Sequence, residues 1–330
     1  MIEAEGLTKI YGNHKAVDGL SFKIGSNCVF GFLGPNGAGK STTLNMITGC
    51  LSPSAGTVKI NGTDMYEEPE KAKKYIGYLP EIPPVYEDMT PWEYLSFVAE
   101  AKKINKTEMK DKINAVMEET DITSMKNRLI KNLSKGYRQR VGIAQAILGD
   151  PEIIILDEPT VGLDPQQIIE IRELIKKLGK SHTVILSSHI LTEISAVCDN
   201  IIIISHGKLI ADDTTENLMG GKKGEKTVIM EVKGDCEKAK EILCQTEGVF
   251  SADAQPNENG LCLAKFTFKE ENDPREEIFN SFGSAKMPII SSSVKKSSLE
   301  EIFLSLVHES FSENTPKEAE EKGFLFTKKN

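Results

Sequence analysis

Apolar positions in the first two thirds of this chain fall in short unbroken runs rather than alternating. CVFGFL at 28–33, Ile153 to Leu156 and the apolar part of HTVILSSHI at 182–190 each have strand length. Runs of that kind predict strands buried on both faces of a sheet. Between them lie helical patterns. Thr90, Pro91 and Glu93 spell a T-x-x-E capping box with proline at the first helical position, followed by an amphipathic stretch carrying Trp92, Leu95, Val98 and Ala99.

The pattern changes after a polar, glycine-rich stretch at 219–225, which reads as a linker. KTVIMEVK predicts a strand, CEKAKEILCQT a helix, GVFSADA and GLCLAKFTFK two strands, DPREEIFNSFG a capped helix and PIISSSVKK a strand. Strand-helix-strand-strand-helix-strand is the ferredoxin-like plan, expected over 226–310. SLEEIFLSLVHE adds a final helix with a Ser298/Glu301 capping box, and 311–330 is a polar, charged tail around the apolar word GFLF.

Composition narrows the partners. With 39% hydrophobic and 27% charged residues in 330, the chain has material for one large domain and a smaller one. Its formal charge of -9 argues against nucleic acid as the main partner. Even the run IIIIS at 201–205 falls far short of the roughly 20 apolar residues that span a bilayer. The N-terminus lacks a basic and apolar leader pattern, so the default expectation is the cytoplasm. Six cysteines without any C-x-x-C pair read as reduced and structural.

Candidate chemistry starts at GPNGAGKST, residues 34–42, directly after the first apolar run. It matches G-x-x-x-x-G-K-S/T. Gly34, Gly37 and Gly39, with Asn36 and Ala38 between them, let backbone NH groups wrap phosphate oxygens. Lys40 reaches the outer phosphates, Ser41 can ligate Mg2+, and Thr42 opens the following helix. Asp157 and Glu158 emerge at the end of a second strand, where open α/β sheets place ligands. Asp157 suits the Mg2+ that bridges nucleotide phosphates, and Glu158 suits the orientation or deprotonation of a water for in-line attack. His189 ends a third strand, within reach of the terminal phosphate if that strand lies beside the carboxylates. Tyr11, in the turn YGNHK, reads either as a platform for adenine or as an ordinary exposed turn tyrosine. LSKGYRQR at 133–140 is a second anion grip, with Ser134, Lys135 and Gly136 at a helix start.

Taken in order, these motifs resemble the nucleotide-binding subunit of an ATP-binding cassette (ABC) transporter over about residues 1–220. GPNGAGKST resembles that family's Walker A loop, LSKGYRQR its signature, IIILDE its Walker B strand, GLD at 162–164 its D-loop and His189 its switch histidine. The resemblance implies an α/β P-loop ATPase domain, with a RecA-like core, an antiparallel β subdomain and a helical subdomain at about 81–130, followed by the smaller α+β domain. It also implies ATP and Mg2+ as ligands, and a dimer with itself or a related ATPase. In such a dimer Ser134, Gly136 and Asp164 act in trans on the ATP of the facing chain, so that closure gates hydrolysis. The partner it implies is a separate integral membrane permease, which keeps this chain peripheral on the cytoplasmic face of the plasma membrane. Tyr86, Met89 and Trp92 are candidates for the coupling surface, with ordinary burial at a helix start as the alternative.

Two motifs depart from the family's usual pattern. LSKGY stands where LSGGQ is commonest, and Glu81 stands where glutamine is usual. An ionised carboxylate still binds a cation but donates no hydrogen bond, so Glu81 is expected to keep a metal-sensing role at an altered rate. The C-terminal extension resembles that of bacterial exporters with separate membrane subunits and points to export. Import, or a soluble cassette acting on ribosomes or DNA, are the other readings, although only one phosphate loop and no long heptad insertion occur here.

Overall fold

The computed structural model describes residues 1–219, 225–257, 260–269, 271–295 and 303. The chain divides into one unit holding Met1–Thr215 and a second beginning at Glu216. The expected 219–225 linker falls largely outside the described residues. The Ser298/Glu301 capping box and the 311–330 tail with GFLF lie outside them altogether.

The first unit opens with β1 (Ile2–Tyr11) and β2 (His14–Ile24), a hairpin whose inward residues Ile2, Ala4, Leu7, Val17, Leu20, Phe22 and Ile24 are buried. β3 (Val29–Leu33) is buried along its whole length and leads into α1 (Lys40–Ile47). β4 (Ala55–Ile60), β5 (Thr63–Asp64), α2 (Pro69–Ala72) and β6 (Ile76–Leu79) follow. Next come α3 (Pro91–Ala101), α4 (Lys106–Glu119) and α5 (Lys135–Ile147). β7 (Ile153–Asp157), α6 (Pro165–Leu178), β8 (Thr183–Ser188), α7 (Leu191–Val197), β9 (Asn200–Ser205) and β10 (Lys208–Thr214) complete the order, and α8 (Thr215–Met219) begins at the boundary between the units.

These strands make two sheets. An antiparallel sheet runs β2-β1-β4-β5, and a six-stranded sheet runs β10-β9-β3-β8-β7-β6, parallel except for the edge strand β10. Aliphatic residues fill the parallel strands because helices cover such sheets and leave no face for polar side chains. Phe22 of β2 meets Phe32 of β3 edge to face at 5.4 Å, joining the sheets through one core. Gly31 is where β3 admits α7: a Cβ there would lie 2.7 Å from Ile194 Cγ2 and 3.0 Å from Cys198 Sγ.

Helix boundaries follow their caps. Thr90 accepts from the Glu93 NH and Glu93 reaches back to the Thr90 NH, the reciprocal box expected at α3. Leu95, Val98 and Ala99 point into the core as the periodicity predicts, while Trp92 stays half-buried under the Lys126 ammonium, 3.7 Å from the ring centroid. Ile171, Leu174, Ile175 and Leu178 form the buried stripe of α6 at helical spacing. No helix among the described residues is long and apolar enough to cross a membrane.

The second unit contains β11 (Glu225–Val232), α9 (Cys236–Gln245), β12 (Val249–Pro256), β13 (Cys262–Lys269), α10 (Arg275–Ser284) and β14 (Ile289–Lys295). Its antiparallel sheet is ordered β12-β13-β11-β14, the ferredoxin-like arrangement. Alternation along β13 sends Cys262, Ala264, Phe266 and Phe268 into a core closed by Ala239, Leu243, Ile278 and Phe282 of the helices. The start of α10 differs from the capped helix expected of DPREEIFNSFG. Pro274 holds the cap position without a side-chain cap bond, and Asp273 instead accepts from the Arg275 NH and grips its guanidinium.

Candidate active site

Where β3 ends, the chain turns through Gly34–Gly39 before α1 begins at Lys40. Gly39 sits at φ +103°, and a Cβ there would lie 2.5 Å from the Ala16 carbonyl oxygen, so glycine is what lets the loop close against the hairpin. Lys40 is buried, and its Nζ donates to the carbonyls of Gly34 at 2.7 Å and Pro35 at 3.3 Å. Burial lowers its pKa, while Glu158, Asp157 and Glu81 oppose that shift by stabilising the charge. A cation so held is poised to pair with phosphate oxygens.

β7 delivers Asp157 at its last position and Glu158 just beyond. Asp157 Oδ1 accepts from Ser41 Oγ at 3.3 Å and also from Ser187 Oγ of β8. Glu158 lies in the left-handed region at φ +49° and donates its NH to Ser187 Oγ at 3.0 Å and to the Ser187 carbonyl at 3.2 Å. Its buried carboxylate faces His189 Nδ1 at 2.9 and 3.0 Å and lies 3.9 Å from Lys40 Nζ. Thus β8, next to β7 in the sheet, brings His189 to the carboxylates. Lys40, Ser41, Glu81, Glu158 and His189, with Asn36, Gly37, Gly39 and Thr42, line one cleft of about 490 Å3. Gly34 and Ala38 of the same loop are buried and do not line the cleft.

The remaining candidates sit elsewhere. Tyr11 is about half exposed at the hairpin turn, 5.4 Å from Lys9 Nζ, and it is His14 and Ala16 of that hairpin that line the cleft. Ser134 caps α5 by accepting from the Tyr137 NH at 3.4 Å. Asp164 caps α6 by accepting from the Gln167 NH at 2.9 Å. Gly136 and Asp164 share a separate recess of about 280 Å3, and a Cβ on Gly136 would meet the Gln167 amide at 2.6 Å. Tyr86 is 52% exposed and packs edge to face on Phe97, Met89 is half-buried, and Trp92 lies under Lys126.

Several residues of the site carry no linear signature. Ser187 is one, a buried hydroxyl tying Asp157 to Glu158; its only trace is the serine pair that closes the apolar run Val184 to Leu186. Glu193 is another, 2% exposed and accepting from Thr160 Oγ1 at 2.5 Å and Ser188 Oγ at 3.1 Å, which braces the segments after β7 and β8 against each other. Beside Tyr86, Ile82 and Phe97 add exposed apolar surface.

Residues 17–161 match the family described as ABC transporter. The bacitracin transport ATP-binding protein BcrA of Bacillus licheniformis is 33% identical over 309 residues, 93% of this chain and 97% of that one. The chain belongs to the ABC transporter family, as an ATP-binding subunit. The linearmycin resistance ATP-binding protein LnrL of Bacillus subtilis (strain 168) is 37% identical, over 71% of this cassette chain and 76% of its own. Among solved structures, an ATP-binding subunit of an ABC transporter superposes with a TM-score of 0.61 at 30% identity, covering 66% of this chain and 91% of its own. A dimeric ATP-binding cassette in a post-hydrolysis state with ADP and Pi does so at 0.60 and 25% identity, over 65% and 99%. The cassette is therefore an ATP-binding ATPase.

The donor set fits a hard cation. Ser41 Oγ and Asp157 Oδ1, 3.3 Å apart beside the loop, are two oxygens of the kind that hold Mg2+ when phosphates and water supply the rest. Among the described residues no group of three or more His, Cys, Asp or Glu side chains forms a metal cage of its own.

Proposed function

We propose that the chain binds ATP with Mg2+ in the cleft and that two chains close around the nucleotide to drive export through a separate membrane subunit. The reading rests chiefly on one observation: Lys40, Glu158 and His189 face the same cleft, with Glu158 held by both of the others. Lys40 and the loop NH groups take the β- and γ-phosphates. Ser41 and Asp157 would hold Mg2+, which when bound would neutralise phosphate charge. Glu158 orients a water and takes its proton, and His189 keeps that carboxylate turned towards the γ-phosphate. Tyr11 stacks on adenine, and Glu81 senses the metal from the cleft wall.

Ser134, Gly136 and Asp164 serve the nucleotide of the facing chain. The recess lined by Gly136 and Asp164 is distinct from the cleft, as a site shared between two chains requires. All groups of a working site occur in this sequence, so two copies would form two such sites. Tyr86, Met89 and Trp92 face the permease and keep the chain on the cytoplasmic side of the plasma membrane. Export is favoured by relatives named for linearmycin resistance and, at 29% identity, for daunorubicin/doxorubicin resistance in Streptomyces peucetius.

Tagged Glu158→Gln protein, purified from native membranes with ATP, tests this reading. Loss of the base costs roughly 10²–10⁴-fold in turnover while ATP binding persists, so the closed complex accumulates. A polytopic membrane protein is expected to co-purify. Recovery only with ribosomes or nucleic acid would overturn the transporter reading.

A further inference from the structure

A second cavity, of about 510 Å3, opens on the first unit where α3 ends and α4 begins. Its wall carries Lys73, Lys74, Lys102, Lys103 and Lys112 against a single carboxylate, Glu70. In a chain of formal charge -9 that is a local reversal of sign. Low-dielectric walls around like charges focus their field into the space between them.

The charges there are largely uncompensated. Lys112 pairs with Glu108 at 3.1 Å and Lys73 donates to the Gly49 carbonyl at 3.2 Å. Among the described residues, no carboxylate lies within ion-pair distance of Lys74 or Lys103. The end of α5 would bring negative potential from its last carbonyls, but Lys102 covers them. Its Nζ donates to Gln145 O at 2.9 Å, Ala146 O at 3.3 Å and Leu148 O at 2.6 Å. Although the residue as a whole is open to solvent, the ammonium end is crowded by protein, which pushes its pKa down to about 8. Asn105, the N-cap of the 14-residue α4, adds the positive end of that helix to the wall.

We propose that this cavity binds a ligand bearing at least two phosphate charges, either a soluble phosphorylated molecule or a phospholipid headgroup, gripped chiefly by Lys74 and Lys103. The volume suits a small phosphorylated molecule. Lys102 ties the site to the far end of α5, the helix that starts at Ser134.

Inorganic pyrophosphate is the first probe, followed by calorimetry on three full-length chains. Wild-type protein is expected to show two classes of site, and Lys40→Ala to keep the second while losing the cradle. Lys74→Glu/Lys103→Glu should weaken the second at least tenfold while ATP affinity and basal turnover stay at wild-type values, which separates this site from the cradle and reports a folded chain. Co-sedimentation with phosphatidylcholine vesicles containing cardiolipin, whose headgroup carries two phosphates, against phosphatidylcholine alone, distinguishes the sources. Capture that the double variant loses assigns the headgroup, and pyrophosphate binding without vesicle capture assigns the soluble ligand. If neither probe binds the Lys40→Ala chain, or if Lys74→Glu/Lys103→Glu leaves binding unchanged, the proposal is wrong.

Discussion

Ser187 shows how much a single hydroxyl can position. It bonds Asp157 and receives the Glu158 NH, so both carboxylates lean on one side chain. Removing such a support from a metal-holding carboxylate costs roughly tenfold or more in metal affinity. Ser187→Ala is therefore expected to raise the Mg2+ concentration needed for half-maximal turnover about tenfold, with ATP binding measured without Mg2+ little changed. An unaltered Mg2+ titration would rule out that support. Glu81 gives a second residue-scale prediction. As a cation-facing carboxylate on the cleft wall, it should yield different turnover in Glu81→Gln and Glu81→Ala, because only the amide keeps polar contact. Equal rates would argue against the metal-sensing role proposed for it. Lys40, Asp157 and Glu158 were legible in the sequence because each stands at the end of a strand-like run or inside a contiguous loop. Ser187 was not, since its partners lie 29 and 30 positions away and only the pairing of β7 with β8 joins them.

Among the elements, β3 is the most constrained, buried throughout and flanked by β8 and β9. Gly31→Ala would push a Cβ to 2.7 Å from Ile194 and 3.0 Å from Cys198, forcing α7 outwards. Overpacking of that kind costs about 1–3 kcal/mol. A lowered midpoint in urea unfolding, with the slope unchanged, is expected; a wild-type midpoint would mean that α7 yields freely. Helix starts were readable where cap and box are local, as at Thr90 and Ser134. The start of α10 lacks the expected cap because the Asp273 carboxylate pairs with Arg275, a competition between local partners that spacing alone does not resolve.

For the whole molecule, the proposed in-trans role of Gly136 and Asp164, which line a recess separate from the cleft, makes dimerisation depend on ATP. Glu158→Gln protein with ATP should run as a dimer in light scattering and as a monomer without nucleotide. Adding Gly136→Asp, which places a carboxylate against the facing phosphates, should abolish that dimer. Persistence of an ATP-dependent dimer would refute the in-trans role of α5. The sequence alone determined the phosphate loop, the strands buried on both faces, the principal caps and the strand-helix order of the second unit, because each depends on residues within a turn or two of one another. Only the tertiary structure decided that β3 lies between β8 and β9, that Ser187 meets Asp157, and that lysines near α2, α3 and α4 share one cavity. Those neighbours are chosen by packing across long stretches of chain, where many pairings satisfy the same apolar pattern and only the assembled core selects among them.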